Sequence, residues 1–501
     1  MNYLLAIDQG TSSTRAMIYN LNGDLITGSQ YSLTQYYPET GWVEHDPEEI
    51  WRKTLTALRD VVAQVPPDAI LACGITNQRE TTVIWDKNTG ACLAPAIVWQ
   101  DRRTAEYCQA FSSEASMIQE KTGLLPDPYF SASKLHWLLK NNSQARQLAE
   151  KGELAFGTID SFLIWRLTKD HRHLTDVTNA SRTMLFNIKT EQWDKDLLAL
   201  FSIPESVLPE VYASDSHFGI IDRQWLGIEL PITGVAGDQQ AALVGQGCFT
   251  SGMVKATYGT GGFLLLNTGP KPVVSQHKLL TTIAYKVKGE TIFGLEGSLY
   301  HAGTTVKWLR DGMKIISNSN ETEALARSLE GNDGVYLVSS FTGLGAPHWL
   351  SEPGAAMYGL SLSSTRAHFA RAALEGVCYQ TRDVLTCMRE DSHLDLSLLC
   401  VDGGMAENSW FLQFLADQCQ LQVQKPKDIE TTAKGAALLA ALGSGVFNSL
   451  DEVHAIWAIE QCFYPERTRE IVEADYQGWK QALNNLGLMA IQRDKEVYRL
   501  G

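Results

Sequence analysis

The sequence lacks any apolar run long enough to cross a bilayer. A membrane-spanning helix needs about 18 or more consecutive apolar residues, and the nearest candidate, residues 436–447, is interrupted at residues 443–445. The first basic residue is Arg15, and the apolar stretch at residues 3–7 is too short for a secretory signal. These absences predict a cytoplasmic protein with no stable membrane insertion.

Cysteine and histidine are present, but they are not arranged to bind a metal. The nine cysteines form no C-x-x-C pair, and the eleven histidines do not cluster with them. Scattered thiols in a chain of 501 residues indicate a reducing compartment, and no zinc site is expected. Positive charge is also scarce, because 42 Lys and Arg face 57 Asp and Glu, a net charge of −15. That balance argues against a nucleic-acid partner.

The remaining material is typical of a globular protein with alternating strands and helices. Hydrophobic residues make up 44% and charged residues 20% of the chain, which excludes a disordered polypeptide. Residues 3–7 and 15–19 predict strands. A helix is predicted from Pro47 onward, with Asp46 as its N-cap, and a long helix over residues 365–391. Strands that alternate with helices predict an α/β protein.

A Gly-Thr pair recurs in the two halves of the chain. Gly10–Thr11 and Gly259–Thr260 each interrupt a pair of strand-like runs, and they lie 249 residues apart. The spacing suggests two similar domains, each with a Gly-Thr loop, although such pairs are common enough at hairpins to recur by coincidence. We place the boundary near residues 247–252, which gives domains 1–250 and 251–501.

The first Gly-Thr loop has the composition of a phosphate site. A glycine turn leaves backbone N–H groups free to bind phosphate oxygens, and a carboxylate such as Asp8 is a ligand type that Mg²⁺ accepts. The side chains that add donors are Thr11, Ser12, Ser13 and Arg15. The loop is not a Walker A motif, and the alternative is a polar turn between two hairpin strands.

Three further glycine-containing segments follow strand-like runs. Residues 259–262 indicate either a bulge or the other side of a polyphosphate clamp. Residues 402–408 form a strand–Gly-Gly–helix junction, which is either a surface for a flat base or a tight turn. Residues 237–240 place Asp238 before a helix, either as its cap or as a general base for a hydroxyl proton.

A polar set with an indole completes the candidate site. Residues 78–80 and 99–103 follow strands of the first half. An Arg–Glu pair beside Trp99 suits a small polyol, because polar groups bind its hydroxyls and an aromatic face covers its C–H side. The alternative is a solvated ion pair with Trp99 in the core.

These segments together resemble the FGGY family of sugar and polyol kinases, which belongs to the actin-like ATPase superfamily. Residues 129–137, and residues 358–360 together with 372–375, match the two family signatures. The resemblance covers essentially the whole chain. It implies two actin-like (ribonuclease H-like) α/β domains with an interdomain cleft, the first for the polyol and phosphate and the second for the nucleotide.

Further runs are similar to the branch of the family that phosphorylates glycerol. They are residues 41–47, 74–82, 97–104, 178–187, 236–242 and 341–347. This resemblance implies an enzyme that phosphorylates glycerol to sn-glycerol 3-phosphate, the first step of glycerol catabolism, with ATP and Mg²⁺, as a homodimer or homotetramer. Two other functions stay open: a kinase for a related polyol or ketose, and an ATPase whose nucleotide cycle drives protein assembly.

The resemblance also implies a role for each candidate residue. Asp238 would be the general base and, with Asp8, would hold Mg²⁺ during in-line transfer. The residues implied to bind the substrate are Arg79, Glu80, Trp99, Tyr129, Asp238, Gln239 and Phe263. Those implied to bind phosphates and nucleotide are Thr11, Ser12, Ser13, Arg15, Thr260, Gly303, Gly404 and Asn408.

Two positions depart from the glycerol-phosphorylating relatives. Lys307 stands where they have Gln, and it either alters the nucleotide contact or points to solvent. Residues 224–230 are shorter than the relatives' loop for fructose 1,6-bisphosphate, and Glu229 replaces an anion-binding Arg. We therefore expect weak or no inhibition by that effector.

Overall fold

A computed structural model describes residues 1–350 and 354–500, and it contains two large mixed sheets with helices against them. The strands, in chain order, are β1 (Tyr3–Gln9), β2 (Ser13–Asn20), β3 (Leu25–Ser32), β4 (Glu44–His45), β5 (Ile70–Asn77), β6 (Val83–Asp86), β7 (Ala96–Ile97), β8 (Leu154–Gly157), β9 (Leu174–Asp176), β10 (Phe186–Asn187), β11 (Gln192–Trp193), β12 (Glu210–Tyr212), β13 (Gly219–Ile221), β14 (Leu230–Gly237), β15 (Met253–Tyr258), β16 (Gly262–Gly269), β17 (Leu280–Val287), β18 (Glu290–Leu299), β19 (Tyr336–Val338), β20 (Ala356–Tyr358), β21 (Leu398–Asp402), β22 (Val423–Pro426) and β23 (Ile459–Phe463).

The helices alternate with these strands along the chain. They are α1 (Pro47–Val62), α2 (Ala105–Gln109), α3 (Ala115–Thr122), α4 (Ser131–Asn141), α5 (Ser143–Glu150), α6 (Ile159–Leu167), α7 (Val177–Ala180), α8 (Lys195–Leu200), α9 (Arg223–Leu226), α10 (Asp238–Gly245), α11 (Gly303–Lys307), α12 (Glu321–Arg327), α13 (Arg366–Ser392), α14 (Ser409–Cys419), α15 (Thr431–Gly443), α16 (Leu450–Ala455) and α17 (Arg469–Leu500). Within residues 1–350 and 354–500, no helix is both long and apolar enough to traverse a membrane.

The predicted elements of the first half are confirmed. β1 and β2 pair antiparallel around the first Gly-Thr turn, and α1 begins at Pro47 because the Asp46 carboxylate accepts the Glu48 N–H at 2.9 Å. The first sheet has the order β13-β14-β5-β1-β2-β3, in which β14, β5 and β1 are mutually parallel.

The second sheet repeats the central pattern of the first. Its order is β17-β18-β16-β15-β21-β22-β23. In both sheets an antiparallel three-strand meander adjoins two parallel strands, so β3-β2-β1-β5-β14 corresponds to β18-β16-β15-β21-β22. The two Gly-Thr turns join the first two strands of each meander. The prediction of an α/β protein is confirmed, as is the long helix α13.

Helices α10 and α15 lie between the two sheets and cross at close range. A Cβ on Gly435 would overlap the Ala241 carbonyl, and one on Gly245 would overlap the Thr431 carbonyl. The alanine face of α15 packs on the first sheet, where Gly74 leaves room for the Ala436 carbonyl. The apolar face of α10 packs instead among residues of the second sheet. Each chain half therefore supplies a helix to the core of the other.

Candidate active site

Three parallel strands deliver polar residues to one edge of the first sheet. Gln9 of β1 is level with Asn77 of β5, which is level with Gly237 of β14. The segments that follow these strands therefore emerge side by side. Since neighbouring strands lie about 4.8 Å apart, the ends of β1 and β14 are separated by about 10 Å, with the end of β5 between them.

Arg79, two residues beyond β5, is the centre of the site. Its Nε lies 3.2 Å from Asp238 Oδ1, and its Nη1 lies 2.5 Å from Glu296 Oε2. Its Nη2 donates to the Tyr129 hydroxyl at 3.4 Å. The guanidinium is buried, so these partners fix its plane and direct it between the ends of the strands.

Glu80 is held in an unusual backbone conformation beside Arg79. Its φ is 59°, the left-handed region that a residue with a side chain rarely adopts. The Ser131 hydroxyl donates to its carbonyl at 3.0 Å, and Arg182 Nε donates to its carboxylate at 2.6 Å. Such strain persists only where surrounding contacts fix it, and it concentrates at functional sites.

Arg182 connects Glu80 to Glu296 and closes a network. Its Nη2 donates to Glu296 Oε1 at 2.9 Å, and all four side chains are buried. These four residues, Arg79, Glu80, Arg182 and Glu296, form a charged cluster. It joins residues of the first half of the chain to β18 of the second sheet.

Three aromatic residues, Trp99, Tyr129 and Phe263, form an aromatic wall next to the charged cluster. The Trp99 ring contacts Tyr129 edge-on with centroids 5.6 Å apart, and Phe263 with centroids 6.2 Å apart. The Trp99 Nε1–H donates to Thr11 Oγ1 at 2.8 Å. Because Phe263 follows the second Gly-Thr turn and Thr11 belongs to the first, one indole contacts both regions.

Asp238 is the first residue of α10, and Gly237 is the N-cap. The interpretation of Asp238 as the helix cap is therefore wrong by one position. Its Oδ1 accepts the Gln239 N–H at 2.7 Å, and the side chain keeps 30% of its surface exposed. Burial raises the pKa of the Asp238 carboxyl, while Arg79 and Lys255 act in the opposite direction. A carboxylate that reaches solvent and has a raised pKa has the character of a general base.

Lys255 of β15 is a buried cation near Asp238. Its ammonium donates to Gln239 Oε1, and its side chain is buried. Burial lowers the pKa of Lys255 to about 8, against the attraction of Asp402 and Asp238. Lys255 thus brings positive charge from the second sheet to the base candidate.

The first Gly-Thr loop forms a compact turn beside this site. The Gly10 N–H donates to the Ser13 carbonyl at 2.9 Å, and Ser12 is exposed. Arg15 is ion-paired with both Asp8 and Glu430. Since Glu430 precedes α15, this pair links the loop to the second half of the chain.

The second half contributes turns made of glycine and backbone. The Thr260 carbonyl accepts the Ala302 and Thr304 N–H groups, both at 3.1 Å, and the Gly303 N–H donates to the Gly259 carbonyl at 2.9 Å. These contacts bring Thr260 and Gly303 together at the start of α11. Residues 259–262 and 403–404 are the two glycine turns of the second half.

The glycine turn at 403–404 packs against the end of β15, the strand that leads into the first glycine turn. A Cβ on Gly403 would lie 2.5 Å from the Tyr258 carbonyl oxygen, whereas one on Gly404 would meet nothing within 4 Å. Asn408 caps α14 by accepting the Phe411 N–H at 3.0 Å. Gly404 therefore lies at an open surface, a few residues before the start of α14.

Family models match both halves of the chain. Residues 3–245 match the N-terminal domain of the FGGY family of carbohydrate kinases, and residues 254–444 match its C-terminal domain. The chain belongs to the FGGY family of carbohydrate kinases. The two sheets described above are therefore the two halves of the actin-like fold of this family.

Similar proteins cover nearly the whole chain of this FGGY family member. A glycerol kinase from Gluconobacter oxydans is 52% identical over 483 residues, 96% of this chain and 94% of that protein. One from a Marinomonas species is 50% identical over 97% of this chain and 99% of that protein. The crystal structure of Plasmodium falciparum glycerol kinase with ADP superimposes with a TM-score of 0.91 at 37% identity, covering 97% of this chain and 98% of that one.

Three buried charges of this FGGY chain were missed by sequence reasoning. Arg182 lay inside a run that matched the family, but it was given no role. Lys255 stood in a strand-like run whose apolar neighbours indicated only burial, and the segment around Glu296 carried no prediction. The signal available was a charged residue in the middle of a buried strand, since such a residue requires a charged partner.

The two positions that depart from the glycerol-phosphorylating relatives both lie at the surface. Lys307 is the last residue of α11, and its side chain is exposed. Whether Lys307 contacts the nucleotide or only the solvent stays a prediction. Glu229 is exposed as well, in the turn between α9 and β14.

Proposed function

We propose that this chain transfers the terminal phosphoryl group of ATP to a primary hydroxyl of glycerol, yielding sn-glycerol 3-phosphate and ADP. The observation that carries the proposal is the convergence of Arg79 and Asp238 with the aromatic wall. The site presents hydrogen-bonding groups on one side and ring faces on the other. A three-carbon polyol has matching surfaces, hydroxyls along one side and C–H groups along the other. The similarity to glycerol kinases at about 50% identity supports the same substrate.

In this proposal each residue of the site has a defined task. Arg79, Glu80 and Tyr129 bind the hydroxyls, with Gln239 beside them, while the Trp99 and Phe263 rings cover the carbon chain. Asp238 accepts the proton of the attacking hydroxyl as the new P–O bond forms and the bond to the ADP oxygen breaks. Positioning and charge neutralisation supply most of the catalysis in phosphoryl transfer.

The residues of this site fit a Mg²⁺ ion that arrives bound to the nucleotide phosphates. Among residues 1–350 and 354–500, no group of three or more His, Cys, Asp or Glu side chains is arranged to bind a metal ion. Mg²⁺ in kinases is usually held by one or two carboxylates together with phosphates and water, and at this sheet edge Asp8 and Asp238 would be those carboxylates. When bound, the ion neutralises negative charge on the phosphates.

The remaining assignments follow the two glycine-rich regions. Phosphates would lie against the first Gly-Thr loop and Thr260, with the donors Thr11, Ser12, Ser13 and Arg15. The nucleotide would occupy the space at Gly303, Gly404 and Asn408. We propose residues 1–250 as the domain for polyol and phosphate, residues 251–501 as the domain for nucleotide, a cytoplasmic location, and a homodimer or homotetramer.

The test measures ADP release from Mg²⁺-ATP with and without glycerol, for wild type and Asp238→Asn. We expect strong glycerol dependence in the wild type. In the variant, kcat should fall by about 10²-fold to 10⁴-fold, the usual worth of a general base, while calorimetry still detects glycerol binding. Asp170→Asn, at an exposed residue, is the matched control.

Three outcomes would contradict the proposal. Glycerol-independent ADP release would indicate an ATPase without a small acceptor. Greater activity with erythritol, ribulose, xylulose or gluconate than with glycerol would reassign the substrate within the family. An unchanged kcat in Asp238→Asn would remove Asp238 as the base.

A further inference from the structure

Glu296 reaches the candidate polyol site from the other half of the chain. It lies in the middle of β18, and its side chain is 1% exposed. Its Oε2 accepts Arg79 Nη1 at 2.5 Å, and its Oε1 accepts Arg182 Nη2 at 2.9 Å and Arg79 Nη2 at 3.2 Å. One carboxylate therefore orients two guanidinium groups.

Both of those guanidinium groups act on residues proposed to bind the polyol. Arg79 directs its Nε to Asp238 and its Nη2 to Tyr129, on the sides that Glu296 leaves free. Arg182 directs its Nε to Glu80. Glu296 touches none of the exposed surface of the site, so any effect on the polyol passes through its two arginine partners.

The formal charges of the charged cluster cancel. Two guanidinium groups face two carboxylates in direct contact. Burial would raise the pKa of Glu296, but Arg182 and Arg79 outweigh it and hold the pKa below its ordinary value. Glu296 thus stays ionised, and a neutral ligand leaves the balance intact. An anionic ligand adds a charge with no partner.

We propose that Glu296 is a positioning residue that sets the direction of Arg79 and, through Arg182, of Glu80, and that its charge makes the site select neutral polyols over anionic analogues. This inference rests on the proposed function. In this inference, Glu296 of β18 in the second sheet influences the binding of a substrate that is held mainly by residues of the first half of the chain.

The test compares Glu296→Gln and Arg182→Lys with the wild type. Glutamine keeps the shape of Glu296 but removes the charge, and lysine keeps the charge of Arg182 but cannot bridge two carboxylates. We expect the glycerol KM to rise by about 10-fold to 100-fold in each, the cost of a small misplacement of binding groups. The KM for ATP should change by less than about twofold, because ATP is placed at the glycine turns. Glu290→Gln, at the exposed end of β18, is the matched control.

A second measurement separates the charge from the shape. Glycerate, an anionic analogue of glycerol, is tested as a competitive inhibitor of the wild type and of Glu296→Gln. Removing one negative charge leaves the cluster with an excess positive charge, so the ratio of glycerate Ki to glycerol KM should fall by about 10-fold or more. General loosening of the site would weaken both ligands together.

The outcomes distinguish this inference from the function on which it rests. A wild type that does not phosphorylate glycerol defeats the proposed function. A wild type that does so, with variants whose glycerol and ATP KM values stay unchanged or rise together, overturns the role of Glu296. An unchanged glycerate ratio also overturns it. If thermal melting shows that neither variant folds, the cluster is purely structural and the inference is wrong.

Discussion

The charged cluster and the glycine turns differ in composition. The charged cluster consists of long Arg and Glu side chains that lie inside the protein and pair with one another. The glycine turns at 259–262 and 403–404 have almost no side chains, and Gly259 and Gly404 are open to solvent. Trp99 lies between the two regions, because its ring contacts Tyr129, a hydrogen-bond partner of Arg79, and Phe263, the residue that follows the first glycine turn.

The difference reflects two ways to recognise a ligand. Buried side chains fix hydrogen-bonding groups before a small neutral ligand arrives, at the cost of taking charges out of water. Glycine backbone leaves free N–H groups and space for a large anionic ligand that brings its own charge. The first region should therefore be sensitive to changes of charge, and the second to changes of volume.

The largest effect is expected when the charged cluster loses Arg79, the residue at its centre. Arg79→Met leaves the carboxylates of Glu296 and Asp238 without their main partner, so the free energy of unfolding should fall by about 3–5 kcal/mol. Arg102→Met is the matched control, because Arg102 is 52% exposed and pairs with Asp127 at the surface. It should cost no more than about 1 kcal/mol. Equal losses in urea denaturation would show that burial of the cluster is unimportant.

A smaller effect is expected from volume at the glycine turns. Gly403 has φ 86° and ψ 172°, a conformation nearly restricted to glycine, and its Cβ would meet the Tyr258 carbonyl. Gly403→Ala should therefore reduce the free energy of unfolding by about 1–3 kcal/mol. Gly404→Ala, one residue away in open space, is the control and should change it little. Similar losses in the two variants would contradict the steric argument.

The smallest effect is a displacement of the pH profile. The Lys255 ammonium opposes the rise in the pKa of Asp238 that burial causes. In Lys255→Met that pKa should rise further, so the acid limb of kcat/KM should move to higher pH, with activity lost sooner as pH falls. Lys271→Met, at an exposed position, should leave the limb in place. A limb that stays fixed or moves to lower pH in Lys255→Met would contradict the role of Lys255.

Local features of this fold were predictable from the sequence. Strands β1 and β15 and helices α1 and α13 follow from apolar runs, an Asp–Pro start and helical periodicity, all of which are encoded by neighbouring residues. The polar segments after β5 and β14 were predicted as a site because each follows a strand. That Trp99, Tyr129 and Phe263 meet in space agrees with the family resemblance, which placed all of them at one ligand.

Long-range partners were not predictable from one sequence. Glu296 is separated from Arg79 by 217 residues and from Arg182 by 114 residues, and no local pattern encodes such pairs. The left-handed backbone of Glu80 was missed because nothing at residues 78–80 signals a turn. The packing of α15 on the first sheet was missed too, since its alanine-rich sequence is consistent with burial against any flat surface.

Because α10 and α15 each pack into the core of the other half of the chain, the two halves should not fold well as separate fragments. A cut near residue 250 would separate each large sheet from the helix that covers part of it. In the first fragment, the surface around Gly74 on which the alanine face of α15 packs would be exposed to water. Neither fragment would contain a complete core, although each would carry the missing helix of the other. The two pieces should therefore be poorly soluble when expressed alone and should reassemble when expressed together, so that the chain behaves as one interlocked unit.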